Sequence, residues 1–203
     1  MKDALMYHAN NFKTSFIKNL GNGKFEISAL PAVAQLAPIY GMIADDFNGD
    51  GNLDLVLCGN DFGNEVNNGR YDAMNGLLLL GNGKGGFFEQ STMKSGIYIP
   101  GDAKALIKLK GIDNTYLMAA SENRGPLRIF RNKNKTQQLI PLRAEDKEVF
   151  YYLKNGQKRK EELYYGSSFL SQSSRFICID ENVTKVVIIN SKGVQRVLGY
   201  SKY

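Results

Sequence analysis

The sequence predicts an all-β protein assembled from repeated, short antiparallel units. Three observations carry that expectation. Short apolar runs are separated by Gly/Asn-rich turns along most of the 203 residues. The tetrapeptide GNGK occurs twice, at 21–24 and 81–84, a spacing of 60 residues. Within the runs, apolar and polar residues alternate, as in KFEISAL (24–30), or the run is too short for a helix, as in LDLVLCG (53–59). A recurrence of this size in strand-like segments indicates stacked β units rather than an array of helices.

Taken in order, the chain opens with MKDALMYHANNF (1–12), which lacks the apolar stretch and cleavage site of a secretory signal peptide. SFIKNLGNGKFE (15–26) reads as a hairpin, because Asn and Gly tolerate the positive φ that tight turns demand. APIYGMIADDFNGDGNLDLVLCGND (37–61) places an acidic, glycine-rich loop between two strand-like runs, and GLLLLGNGKGGFFE (76–89) repeats the hairpin. GDAKALIKLKGIDNTYLMAASENRG (101–125) is a weaker echo in which Leu117 to Ala120 fall over Leu55 to Cys58. PLRIFRNKNK (126–135) begins a truncated third return, with RNKNK where GNGK would stand. Beyond residue 136 the repeat is lost. AEDKEVFYYL (144–153) suits a helix or a strand, and RFICID, TKVVIIN and VQRVLGY read as strands joined by turns such as KNGQ and SKGV. A boundary near 136–147 divides the chain into residues 1–140 and a second β module, 141–203.

Composition narrows the chemistry. Hydrophobic residues at 43% and charged residues at 23% match ordinary globular usage and exclude wholesale disorder. No run approaches the ~18 apolar residues of a membrane span. A single histidine, His8, leaves Ser-His-Asp and His-rich zinc chemistry little to build on. Cys58 and Cys178 have no metal-ligand spacing and sit in apolar runs, as buried free thiols do. The net charge of +6 divides unevenly: residues 1–100 hold 7 basic and 10 acidic side chains, residues 101–203 hold 19 and 10. Such a division suggests two functional districts, or a cation site in one half and a basic surface in the other.

The strongest chemical motif is the D-x-N-x-D-G-x-x-D loop from Asp46 to Asp54. Asp46, Asn48, Asp50 and Asp54 present side-chain oxygens at positions 1, 3, 5 and 9, and Asn52 can turn its carbonyl inward at position 7. Gly51 at position 6 permits the sharp reversal. A hard, all-oxygen donor set suits Ca²⁺, whereas Mg²⁺ demands stricter octahedral geometry and zinc or copper would want Cys or His. An EF-hand is excluded: its bidentate Glu at position 12 is Leu57 here, and the flanks are strand-like. In the weaker echo Lys108, Ile112 and Tyr116 stand at the places of Asp46, Asp50 and Asp54, so one calcium site is expected.

DFNGDGNLDLVLCGN and LLLGNGKGGF resemble the FG-GAP/VCBS repeats, the calcium-loop blades of integrin-α-type β-propellers and of many bacterial secreted proteins. The likeness spans roughly residues 10–135. YYGSSFLSQSSRFICIDENVTKVVIINSKGVQR resembles the ASPIC/UnbV module of the cartilage-acidic-protein-like family, through Gly166, Leu170, Ser171 and Gln172. GRYDAMNGLLLLGNGKG is similar, by general likeness, to the version common in Bacteroidetes-type bacteria. The Trp-Pro-x-Gly-like turn of that module is replaced here by Asn190-Ser191-Lys192-Gly193. The resemblance implies about two propeller-type blades followed by a small C-terminal β module. It implies a calcium-binding, non-enzymatic adhesion or binding protein, extracellular, at the cell surface or periplasmic. Its metal ligands would be Asp46, Asn48, Asp50, Asn52 and Asp54. Two blades are fewer than a closed propeller needs, so the chain is expected to self-associate or to pair with missing upstream blades.

Other features weigh less. The loop 59–73 reads as a turn held by an Arg70–carboxylate pair rather than as a ligand loop. Lys158-Arg159-Lys160 is followed at once by Glu161 and Glu162, and no aromatic-interleaved nucleic-acid motif accompanies it, so nucleic acid is not an expected partner. LYYGSSFLSQSS (163–174) has the composition of a sugar-binding surface or of a β-sandwich edge. A protein or glycan ligand is expected. The alternative is a polysaccharide-active enzyme or its carbohydrate-binding portion, which would need paired carboxylates that no motif supplies.

Overall fold

The structure, a computed structural model, describes residues 5–133 and 137–199. It is all-β, with 48% strand and 5% helix, in several antiparallel sheets of which none closes into a barrel. Asn134 and Lys135 of the RNKNK segment lie outside the described residues.

Strands that follow one another in sequence pair as neighbours in the first three sheets. Strands β1 (Ser15–Gly21) and β2 (Lys24–Ala29) form a two-stranded hairpin around GNGK. Next come β3 (Ile39–Asp45), β4 (Asp54–Gly59), β5 (Leu77–Gly81) and β6 (Phe87–Gln90), paired in chain order in one sheet. A single helical turn, α1 (Thr92–Ser95), leads to β7 (Ala103–Lys110), β8 (Tyr116–Glu122) and β9 (Arg128–Arg131), again paired in order. The second GNGK lies in the β5–β6 turn. The echo 101–125 supplies β7 and β8, which follow the β3–β4 pattern.

β4 is buried along its whole length, as its unbroken apolar run DLVLCG requires in the middle of a sheet. Leu55, Leu57, Leu77 and Leu79 point to one side, with Leu30, Ala34, Phe16 and Phe87. Val56, Cys58 and Leu78 point to the other, into a core shared with Leu106, Met118 and Ala120 of the next sheet. Close approach of β3 to β7 depends on Gly41: a Cβ there would lie 2.6 Å from Leu106 Cβ and 2.7 Å from Cys58 Sγ. Both cysteines are free and buried, as their apolar surroundings predict, and burial pushes the Cys58 thiol up to about 12.

The remaining strands are β10 (Gln138–Pro141), β11 (Asp146–Leu153), β12 (Lys158–Glu162), β13 (Phe176–Ile179), β14 (Val183–Asn190) and β15 (Gln195–Gly199). AEDKEVFYYL thus becomes strand: Val149, Tyr151 and Leu153 are buried in alternation, a period of two. The sheet order is β12-β11-β14-β15, and β10 pairs with β13 apart from it. This pair joins the two regions. Leu139, Phe176 and Cys178 enter the core of the repeat sheets, while Ile177 and Ile179 enter that of the C-terminal sheet. The 140/141 division therefore falls inside β10.

Asn60 locks the end of β4 to the unit that follows. It is fully buried, and its amide donates to the carbonyls of Met74 (2.7 Å) and Gly101 (2.9 Å) while Oδ1 accepts from Met74 N–H (3.0 Å). Replacing it strands those backbone groups without water. Asn60→Ala is expected to cost at least about 1–3 kcal/mol in urea unfolding. A loss within the ~0.5 kcal/mol scatter of surface substitutions contradicts the assignment.

Candidate metal centre

The β3–β4 turn carries all five residues singled out in the sequence. Strand pairing ends at Asp45 opposite Asp54, and the nine-residue loop begins at the next residue. Gly51 takes φ +89°, a left-handed conformation that a side chain would strain. Asp46 and Asp54 are buried; Asn48 and Asp50 stand further out.

The buried carboxylates hold the loop from inside. Asp46 Oδ1 accepts the N–H of Gly49 (2.7 Å) and of Asp50 (3.2 Å), and Oδ2 accepts that of Gly51 (2.7 Å). Asp54 Oδ2 accepts the N–H of Phe47 (2.9 Å) and of Asn48 (3.3 Å), and Oδ1 that of Gly81 on β5 (2.9 Å). Asn48 donates from Nδ2 to Asp50 Oδ2 (3.0 Å), and Asp50 Oδ1 accepts the N–H of Asn52 (2.8 Å). A carboxylate offers about four lone-pair sites, so Asp46 and Asp54 each keep about one, and Asp50 keeps more.

Among the described residues no three His, Cys, Asp or Glu side chains are gathered around one point. The structure thus brings the predicted ligands into a single loop, with their carboxylates turned onto backbone N–H groups rather than onto one another. The donor set is entirely oxygen.

Residues far away in sequence complete the surroundings. Asn182, in the β13–β14 turn, donates from Nδ2 to Gly49 O (2.9 Å), and Gln137 Nε2 donates to Asp46 O (2.6 Å). Asp180 borders the same small cavity as Asp45 and Asp46. Burial pushes the Asp46 carboxyl up to about 6; the N–H groups of Gly51 and Gly49 oppose that rise, and the charges of Asp180 and Asp50 add to it. Burial also raises Asp54, against the N–H groups of Gly81 and Phe47.

Asp45 has a different kind of partner. Tyr116 donates its hydroxyl to Asp45 Oδ2 (3.1 Å), and Lys108 Nζ lies 3.8 Å from the same oxygen and 4.0 Å from Glu161 Oε1. Burial works against the Lys108 charge, but the carboxylates of Asp45 and Glu161 outweigh it and raise its pKa. Lys108 and Tyr116 are two of the residues standing at ligand places in the weaker echo. No local motif marks Gln137, Asp180 or Asn182, because only the packing of β10 and β13–β14 brings them here.

Elsewhere, Arg70 Nε pairs with Asp72 Oδ2 at 3.2 Å, the exposed turn pair expected of the 59–73 loop. Compared with family models and with curated proteins, the chain matches none.

A titration tests the electrostatics of the loop. The folded-state pKa of Asp46, about 6, lies above the ~3.9 of an unfolded aspartate, so the native state holds this proton more tightly. Its contribution to stability is full below pH ~4 and is lost as pH rises through 6. In chelator, wild-type stability should therefore fall relative to Asp46→Asn between pH 4 and 6.5, by urea unfolding at each pH. Parallel pH profiles would rule out the raised pKa.

Proposed function

We propose that the chain is a calcium-binding, non-enzymatic module that works in binding or adhesion outside the cell. One observation carries the reading: a single D-x-N-x-D-G-x-x-D turn buries Asp46 and Asp54, with the charge of Asp50 acting on both and that of Asp180 on Asp46. Carboxylates taken out of water and set beside like charges are destabilised in their ionised form. A divalent cation relieves both effects. Oxygen donors alone, with lone pairs still open on three carboxylates, suit a hard ion, and Ca²⁺ accepts the irregular geometry of a loop more readily than Mg²⁺.

Asp46, Asn48, Asp50 and Asp54, with the carbonyl of Asn52, would hold the ion. Its chemistry there is structural: it neutralises the turn and stiffens the β3–β4 connection. The resemblance of this loop and of the GNGK hairpins to FG-GAP/VCBS blades, and of the C-terminal region to the ASPIC/UnbV module, supports the same reading and its extracellular or cell-surface setting. No helix of the described residues is long and apolar enough to cross a membrane.

Pairing at open edges belongs to the reading as well. Ile17, Phe25 and Ile27 share one face of the β1–β2 hairpin and are 58–60% exposed. An uncovered apolar ribbon with a free edge favours association. Light scattering at high concentration should give masses above that of one chain; a sharp monomer mass counts against it.

Thermal unfolding with and without calcium tests the central claim. Ligand binding to the native state stabilises by RT ln(1 + [L]/Kd), about 2.7 kcal/mol at a hundredfold excess over Kd. Millimolar Ca²⁺ should raise Tm by several degrees over EDTA, and Asp50→Asn should shrink that shift. Identical melting in the two buffers removes the calcium assignment.

A further inference from the structure

The outer face of the C-terminal sheet groups lysines with aromatic rings. In sequence, Lys158, Arg159 and Lys160 look like a charge run cancelled by the glutamates after it. Strand pairing rearranges them. On β12 the side chains alternate, so Arg159 turns inward over the Tyr151 ring while Lys158 and Lys160 stay on the exposed side. Opposite them on β11 stand Tyr152 and Phe150, and beyond these on β14 stand Lys185 and Val187.

Two cross-strand rows result. One reads Lys158–Tyr152–Lys185, the other Lys160–Phe150–Val187. The Lys158 ammonium lies 4.2 Å from the Phe150 ring centre and 5.4 Å from that of Tyr152, and Lys185 lies 5.1 Å from Tyr152. The aromatic interleaving absent from the linear sequence is thus created by the sheet.

The lysines are not equivalent. Lys160 is held by Glu148 (2.9 Å) and Glu162 (2.8 Å). Among the described residues neither Lys158 nor Lys185 forms an ion pair. One aromatic ring therefore sits between two ammonium groups without carboxylate partners, with a neutralised patch alongside.

We infer that this face binds an acidic glycan of low charge density, one with carboxylates spaced by neutral sugars. Lys158 and Lys185 receive the carboxylates. Tyr152 and Phe150 are half-buried, and the ring surface that the ammonium groups leave open receives the partly positive C–H face of a pyranose ring. Glu148, Glu162 and Gln195, in the adjoining row, accept or donate hydrogen bonds to hydroxyl groups. Single-stranded nucleic acid uses stacking too, but its affinity depends on a cation for nearly every phosphate. Two unpaired lysines beside two carboxylates do not meet that demand.

The inference takes up only the binding-module part of the reading above and names its ligand class. Its residues are distinct from those of the calcium reading: Asp46, Leu153 and Val183 border one cavity on the inward side of the sheet, and of the proposed glycan residues Lys158 alone borders another with Gly51 and Asn52 of the loop, among the cavities described.

Isothermal titration calorimetry with three probes, each in Ca²⁺ and in EDTA, tests it. The probes are an octasaccharide of alternating glucuronate and N-acetylglucosamine, a neutral cello-oligosaccharide and single-stranded oligo-dT. The glucuronate probe should bind in both buffers, more tightly than the other two. Lys158→Ala with Lys185→Ala, and separately Tyr152→Ala, should each weaken it by about tenfold or more, as loss of a central anchor does. Lys94→Ala, on α1, should leave it unchanged. All these substitutions are at surface or half-buried positions, and circular dichroism confirms that each variant is folded. Equal binding of the neutral probe, tighter binding of oligo-dT, unaltered affinity in the variants or no glucuronate binding would each overturn the inference. Glucuronate binding without any calcium effect on melting would sink the calcium reading and leave this one standing.

Discussion

Satisfying the buried aspartates at the β3–β4 turn is the constraint on which most of this structure depends. Asp45, Asp46 and Asp54 leave water together, and each is met by a different part of the chain. Asp54 takes an N–H from the end of β5, Asp46 takes three from its own loop, and Asp45 takes a hydroxyl from β8 and faces an ammonium from β7. A buried carboxylate without such partners is far costlier than the few kcal/mol by which a domain is stable. The turn therefore fixes where β5, β7 and β8 must lie, and apolar packing fills the space between them.

The C-terminal sheet is tied to the same turn. Asn182 and Gln137 bond to loop carbonyls, and Asp180 lies close enough to raise the Asp46 pKa. Hydrophobic packing follows that connection, since β13 sends Phe176 and Cys178 into one core and Ile177 and Ile179 into the other. Strand alternation makes this possible: successive residues face opposite sides, so one short strand serves two cores. An added carboxylate beside Asp46 is unfavourable for the turn alone. It becomes useful where a cation is to be held.

Much of this was legible in the sequence. The all-β class followed from the short apolar runs, the β1–β2 and β5–β6 turns from the two GNGK copies, and the buried thiols from LVLCG and FICID. The loop residues followed from their spacing, because all five lie within nine residues. What escaped reading depends on distant pairing. Asp180 and Asn182 are more than 120 residues from the loop, and nothing in ENVTKVV marks them as its neighbours. The Lys158–Tyr152–Lys185 row escaped for the same reason: its members come from three strands, and a linear search for aromatics among basic residues cannot see across a sheet. For AEDKEVFYYL the local pattern left helix and strand open. Tertiary pairing with β12 and β14 decided for strand, as sheet context commonly does.

The weaker echo shows how the two repeat units divide their labour. At the places of Asp46 and Asp54 it carries Lys108 and Tyr116, and read alone that looks like decay of a metal loop. In the fold, both side chains reach back to Asp45, one residue before the first unit's loop. Lys108 lies within β7, opposite Met118, and Tyr116 opens β8, so carboxylates at these two positions would face Asp45 in place of its cation and hydroxyl partners. Lysine and tyrosine at those places instead supply a cation and a hydroxyl where the first unit has an excess of acid. The cation and hydroxyl of the second unit are therefore coupled to burial of an acid in the first, and the pair is best understood as one electrostatic unit.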